Sequence, residues 1–264
     1  MSAPNTSMKT STALLALPAL FASCVLPDLG GNVHAGYMNI TPSGNFGLQD
    51  SAKTNNVNSV RIDVEDGFSV EDAGTPFLRG EGNLGDWDVI VSGFHFDESN
   101  PAVLTADFGD ITASQASPTP VSTNLTVFNV KGAVAYNVLD LEILDVSAGV
   151  CFDYFSVDMD VRSATAFENL SFTAPTPLLY ARATAGISIV TGKLEVSWLD
   201  IDLGDAVGSY FDLDAMISVK PLPFLELVAG YRNVLIDVDG DVDNQDFDTH
   251  LRLSGWYIGG GVSF

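Results

Sequence analysis

The chain has 264 residues and a formal net charge of −23, yet only 17% of its residues are charged and Lys and Arg together number 11. Its mean hydropathy is +0.22. So few cations exclude a nucleic-acid ligand, whose phosphates must be met by Lys or Arg. No window reaches the roughly 18 uninterrupted apolar residues of a spanning helix. A membrane location therefore requires a closed barrel, in which every backbone polar group finds an internal partner.

From Met8, an alternative start, the chain reads MKTSTALLALPALFASC. One Lys, an apolar core from Ala13 to Ala22 and small residues after it form a secretory signal over 1–23. Leu20, Ala22, Ser23 and Cys24 resemble the lipobox of bacterial lipoproteins, with Phe21 where Leu is usual. That resemblance implies lipidation at Cys24; ordinary cleavage, for instance after Ala35, is the alternative. Residues 24–56, rich in Gly, Asn, Ser and Pro, read as a flexible periplasmic lead-in. The second cysteine, Cys151, falls inside a strand and reads as a small packed side chain.

From 57 onward, residues alternate in polarity with strand periodicity. Ten strands are predicted, at 57–68, 76–84, 87–97, 126–138, 141–162, 178–190, 194–203, 210–220, 225–238 and 247–264, with eight as the alternative count. An even number returns both chain ends to one side, with short turns there and longer loops opposite. In 141–162 the apolar residues change phase, from Leu144, Val146, Ala148, Val150, Phe152 and Tyr154 to Phe155, Val157, Met159 and Val161. The last strand changes phase between Leu253 and Trp256. One extra residue at each place, near Tyr154 and at Ser254-Gly255, is the predicted cause.

The chain ends with Trp256, Ile258, Gly260, Val262 and Phe264 on one face. An apolar edge of that kind would aggregate in a soluble domain. Together with RIDVEDGF and YFDLDAMISVKPLPFLELVAGYR, this ending resembles the small outer-membrane β-barrel proteins of diderm bacteria, whose last residue is typically Phe. The resemblance implies an all-β chain: a closed antiparallel transmembrane β-barrel over 57–264, in contact with outer-membrane lipid. It also implies that the barrel-insertion machinery reads Trp256, Ile258, Val262 and Phe264. It brings no catalytic residue, and no cofactor is expected.

The side chains opposite the apolar faces point to a lumen. Arg61, Asp63, Arg79, Glu81, Lys131, Asp145, Asp153, Arg182, Glu195, Asp212, Asp214, Arg232 and Arg252 are assigned to it, with Arg162 and Lys220. Interleaved signs in a narrow barrel predict ion pairs that fill the interior. Asp237, Asp239, Asp241 and Asp243 are weak divalent-cation candidates. Gly240 is misplaced for an EF-hand and the twelfth-position Glu is absent, so a solvated acidic loop is favoured. Of three histidines, His250 has Ser254 four residues on, but residues four apart in a strand sit roughly 13 Å apart, so no enzymatic constellation is read. The expected function is structural or surface-interacting; a narrow porin-like channel and a rim enzyme on lipid or peptide are the alternatives.

Overall fold

A computed structural model describes residues 29–50, 61–202, 206–242 and 245–264. Its strands are β1 (Leu29–Asp50), β2 (Ile62–Asp63), β3 (Ala73–Leu84), β4 (Trp87–Leu104), β5 (Thr119–Leu141), β6 (Leu144–Arg162), β7 (Phe167–Ile187), β8 (Val190–Asp202), β9 (Ala206–Leu222), β10 (Leu225–Val242) and β11 (Gln245–Ser263). All except the two-residue β2 form one ring of antiparallel neighbours. It closes where β11 pairs with β1 from Asn32↔Ser263 to Asp50↔Gln245. The fold is a closed ten-stranded barrel.

The count of ten stands, but its first member differs from the expected one. Within 57–68, the described residues form only the short β2 and a turn, in which Asp63 Oδ1 accepts from the backbone N–H groups of Glu65 and Asp66 at 2.9 Å. The first long strand is β1, inside the stretch that reads as a flexible lead-in. Glycines dilute its alternation, and at least one has a steric reason. A Cβ on Gly36 would lie 2.2 Å from the Ile258 carbonyl oxygen and 2.6 Å from the Phe77 ring.

Short connections at 85–86, 142–143, 188–189 and 223–224 share one end of the barrel with Phe264, whose backbone exchanges two 2.9 Å hydrogen bonds with Gly31. The β1–β3 connection, described over residues 61–72, and the connection 105–118 are at the other end. Exposed apolar side chains form a belt between Trp87, Tyr136, Phe224 and Phe264 at the short-turn end and Tyr37, Phe128, Tyr154, Trp198, Phe211 and Trp256 above. An apolar band bounded by two aromatic girdles is the exterior that lipid requires.

Above the upper girdle the faces exchange character. On β6 the outward residues become Ser156, Asp158 and Asp160, and the buried ones Phe155, Val157, Met159 and Val161. On β5, Thr126, Asn124 and Ser122 face out while Val127, Leu125 and Val121 are buried. The pairing of β6 runs through Tyr154 without a shift, as does that of β11 through Ser254 and Gly255. Both expected bulges are therefore absent. The apolar phase inverts because the strand leaves lipid for water, so its apolar side chains move from the outer face to an interior core.

That core forms because the ring splits. β3 and β4 pair only from Phe77↔Phe94 down to Leu84↔Trp87, and β7 and β8 only from Leu179↔Trp198 to Ile187↔Val190. Beyond these points β4 to β7 form one sheet, and β8 to β11 with β1, β2 and the first residues of β3 another. Phe155 of β6 meets Tyr210 of β9 at 6.1 Å between centroids, and Phe68 bridges Phe46 of β1 at 6.3 Å and Phe108 at 5.1 Å. Two facing sheets with an apolar interior are a sandwich. Ile62, Val64, Phe68 and Val70 from the β1–β3 connection fill it, with Phe108 and Ile111 from the next. Pro76, Pro101, Pro175 and Pro177 stand on strands that border the two splits, where the missing N–H blunts a free edge.

Candidate functional site: the charged lumen and the acidic rim

In the lipid-embedded half, the inward side chains form two ladders along cross-strand register. One runs Asp153, Lys131, Ser92, Arg79, His34, Gly261, Glu226 over β6, β5, β4, β3, β1, β11 and β10. The other runs Arg182, Glu195, Asp214, Arg232 over β7 to β10. Small residues such as Gly255 and Gly261 leave room for the long ones.

Contacts then cross the lumen. Arg79 donates to Glu81 at 2.7 Å, to Asp214 at 3.1 Å and to Glu195. Arg182 reaches Glu81 at 2.7 Å, and Lys193 joins the same carboxylate. Lys131 bonds Asp212 at 2.7 Å, which also accepts from Arg232 at 2.9 Å. The Tyr210 hydroxyl donates to Asp153 at 2.6 Å and the Tyr257 hydroxyl to Asp214 at 2.7 Å. The Arg232 guanidinium also lies 5.3 Å from the Phe94 ring centre. Toward the short-turn end, His34 Nε2 is 3.3 Å from Glu226 Oε2, with Lys220 Nζ 3.8 Å from the same oxygen.

Five cations (Arg79, Lys131, Arg182, Lys193 and Arg232) thus face six carboxylates (Glu81, Asp88, Asp153, Glu195, Asp212 and Asp214). Ionised groups this deeply buried persist only when paired, because an isolated one forfeits its hydration. Above the ladders the apolar core continues the filling.

Of the residues assigned to the lumen, Arg79, Glu81, Lys131, Asp153, Arg182, Glu195, Asp212, Asp214 and Arg232 are buried within it. Asp145 is half-buried near the short-turn rim, beside Asp140 in register. Four assignments are corrected. Arg252 lies on the outer face and donates to Asn233 Oδ1 at 2.7 Å, and Arg162 is outward above the girdle, 4.9 Å from the Phe167 ring centre. Arg61 and Asp63 belong to the β1–β3 connection. Counting in twos misplaces each of them, because it runs through a phase inversion or along a strand that does not form. Lys193 escapes a sequence reading because Thr191-Gly192-Lys193 has the composition of a turn, and His34 because glycines hide the strand that carries it.

The acidic string is also a strand, not a loop. Asp237, Asp239 and Asp241 fall on β10, opposite His250, Asp248 and Asp246; Asp243 lies outside the described residues, as does Cys24. Arg61, continuing the β2 register, stands opposite Gly47 and reaches across it to Asp248. In this water-exposed rim, burial and the facing Asp248 push the Asp239 carboxyl above its usual value. Asp237 Oδ2 is 3.1 Å from His250 Nδ1. No cluster of three metal-ligating side chains occurs among the described residues. Trp256, Ile258, Val262 and Phe264 all point outward in the apolar belt.

No family model matches the chain, and no curated protein does. Among solved structures, it is similar to the outer membrane protease OmpT from Escherichia coli at 9% identity and a TM-score of 0.51, covering 90% of this chain and 96% of that one. Ail, the attachment invasion locus protein of Yersinia pestis, aligns at 10% identity and a TM-score of 0.37, over 90% and 99% of the two chains. The Pseudomonas putida toluene transporter TodX aligns at 13% and 0.29, over 90% of each. The likeness is one of fold: the chain has the architecture of outer-membrane β-barrels.

Proposed function

We propose that the protein resides in the bacterial outer membrane as a non-conducting barrel that carries a rigid β-sandwich above the lipid, serving a structural or surface-interaction role. The observation that supports this reading is the occupied interior: two charge ladders at membrane depth and a continuous apolar core above them. An ion or solute crossing it would have to break buried pairs and then force apart the packed sheets. Long strands continuing past the girdle, with Ser122, Asn124, Thr126, Asp158 and Asp160 turned outward, offer a fixed polar face on one side of the sandwich. OmpT is a protease by its name, but fold likeness carries no activity. The rim offers a His250–Asp237 pair, and the hydroxyl residue in register with it, Ser209, stands across Asp237 from the imidazole, beside the acid and not beside the base.

A liposome-swelling assay with small neutral sugars tests the reading. Barrel-containing vesicles should swell no faster than empty ones. Swelling that depends on solute size would instead identify a narrow pore.

A further inference from the structure

The two splits that make the sandwich each leave a strand with an open side. At the β3–β4 split the β1–β3 connection and the start of β3 close the opening: Thr75 Oγ1 donates to the His95 carbonyl of β4, and the Phe68 carbonyl accepts from Thr123 Oγ1 of β5 at 2.6 Å. At the β7–β8 split the described residues provide no such cover. Above Leu179↔Trp198, β7 pairs with β6 alone, in an unshifted register from Arg162↔Phe167 downward. Two features fix which of its backbone groups face the gap. Pro175 and Pro177 have no N–H to give, so they hold non-bonded positions of the β6 ladder. The hairpin agrees: the Ser163 N–H bonds the Ala166 carbonyl at 2.9 Å, which makes Arg162↔Phe167 a non-bonded pair and every second pair after it non-bonded too. The N–H and C=O groups of Asn169, Ser171 and Thr173 therefore point into the split, where no described backbone group meets them.

Prolines blunt the lower part of this edge, but the eight residues from Phe167 to Ala174 include neither Pro nor Lys, the usual guards of a free edge. Open backbone donors and acceptors along one side of a strand select one kind of occupant, another extended strand. The sandwich selects its side chains. Phe172 of β7 and Leu199 of β8 pack against the core from the two sides of the split and stay only half-buried, while Asn169, Ser171 and Thr173 turn outward. We propose that this edge binds, by strand addition, an extended segment of a partner protein whose residues alternate, apolar over Phe172 and Leu199 and polar outside. The inference deepens the surface-interaction reading and rests on it.

The test uses the full chain in nanodiscs and the end-capped peptide Lys-Thr-Val-Thr-Val-Thr-Val-Lys, with hydrogen exchange of single backbone amides read by NMR. Saturating peptide should slow exchange at Asn169, Ser171 and Thr173 by at least about tenfold, as new cross-strand hydrogen bonds require. Peptides with Pro or Ser in place of every Val should give no protection at the same concentration, the first because it cannot pair and the second because it leaves Phe172 uncovered. Ser171→Pro should abolish protection at Asn169 and Thr173 while the barrel stays folded, since β6 does not use the Ser171 N–H. Ser171→Ala should leave protection unchanged, because main-chain groups carry the binding. Liposome swelling reads the lumen and amide exchange reads the edge, so failure of either reading is seen separately. No protection by the Val peptide, equal protection by the Ser peptide, or protection that survives Ser171→Pro would each overturn the proposal.

Discussion

Arg79 shows how single residues hold the lumen. Its guanidinium meets Glu81, Glu195 and Asp214 while 3% exposed, so removing it strands Asp214 and takes one cation from each of the other two. Arg79→Ala should destabilise the folded barrel by about 3–5 kcal/mol, the cost of leaving a buried charge unpaired, measured as the shift in urea midpoint for refolding into vesicles. Asp239 at the rim behaves in the opposite sense. Its carboxyl titrates above the ordinary aspartate value because burial and Asp248 oppose its charge, with Asp237 adding to them and Arg61 opposing them. The folded state therefore binds this proton more tightly than the unfolded state, and stability falls as pH rises from the unfolded value through the raised folded one. Asp239→Asn should stabilise the protein at neutral pH and make no difference at about pH 3, below the unfolded aspartate value. A variant that loses stability at neutral pH would show that the cross-strand pair is satisfied by Arg61 instead of strained.

At the scale of the strand, β6 is the clearest case. Val150 and Asp158 share its outer face, one in the apolar belt and one above it. Val150→Arg should cost about 2–4 kcal/mol, as a cation near mid-bilayer on a lipid face does, while Asp158→Arg should be close to neutral. Comparable costs at both positions would place the membrane surface elsewhere. The membrane-spanning parts of β4 to β11 are legible as period-two alternation because their outward faces are rich in large apolar residues, and β3 is legible from its inward Arg79, Glu81 and buried Phe77 opposite Leu78 and two glycines. β1 is not, since Gly30, Gly31, Gly36 and Pro42 leave little apolar pattern to count, and its pairing with β11 is a contact far apart in sequence. The nine buried lumen charges can be read because basic and acidic side chains opposite an apolar face have nowhere else to point. Which strand each reaches across the lumen cannot, because partners such as Arg182 and Glu81 are 101 residues apart. The phase inversions are visible as well, but a bulge and a change of solvent leave the same trace in a sequence. Only the unbroken register separates them.

The whole molecule is a barrel below and a sandwich above, closed by its last strand on its first. Phe264 exchanges hydrogen bonds with Gly31, and its ring lies 3.0 Å from where a Cβ on that glycine would stand. Phe264→Asp should therefore reduce outer-membrane assembly while leaving export intact, read as loss of the heat-modifiable band on a denaturing gel with precursor processing unchanged. Undiminished assembly would mean that closure on β1 does not need the terminal aromatic. Filling of the interior by paired charges and an apolar core is the central claim, and single-channel recording of the purified protein in planar bilayers meets it most directly. Wild type should stay electrically silent at neutral pH, and Arg182→Ala, which takes one cation from Glu81 and Glu195, should show brief leak events; a steady, large conductance from the wild type would contradict the filled lumen.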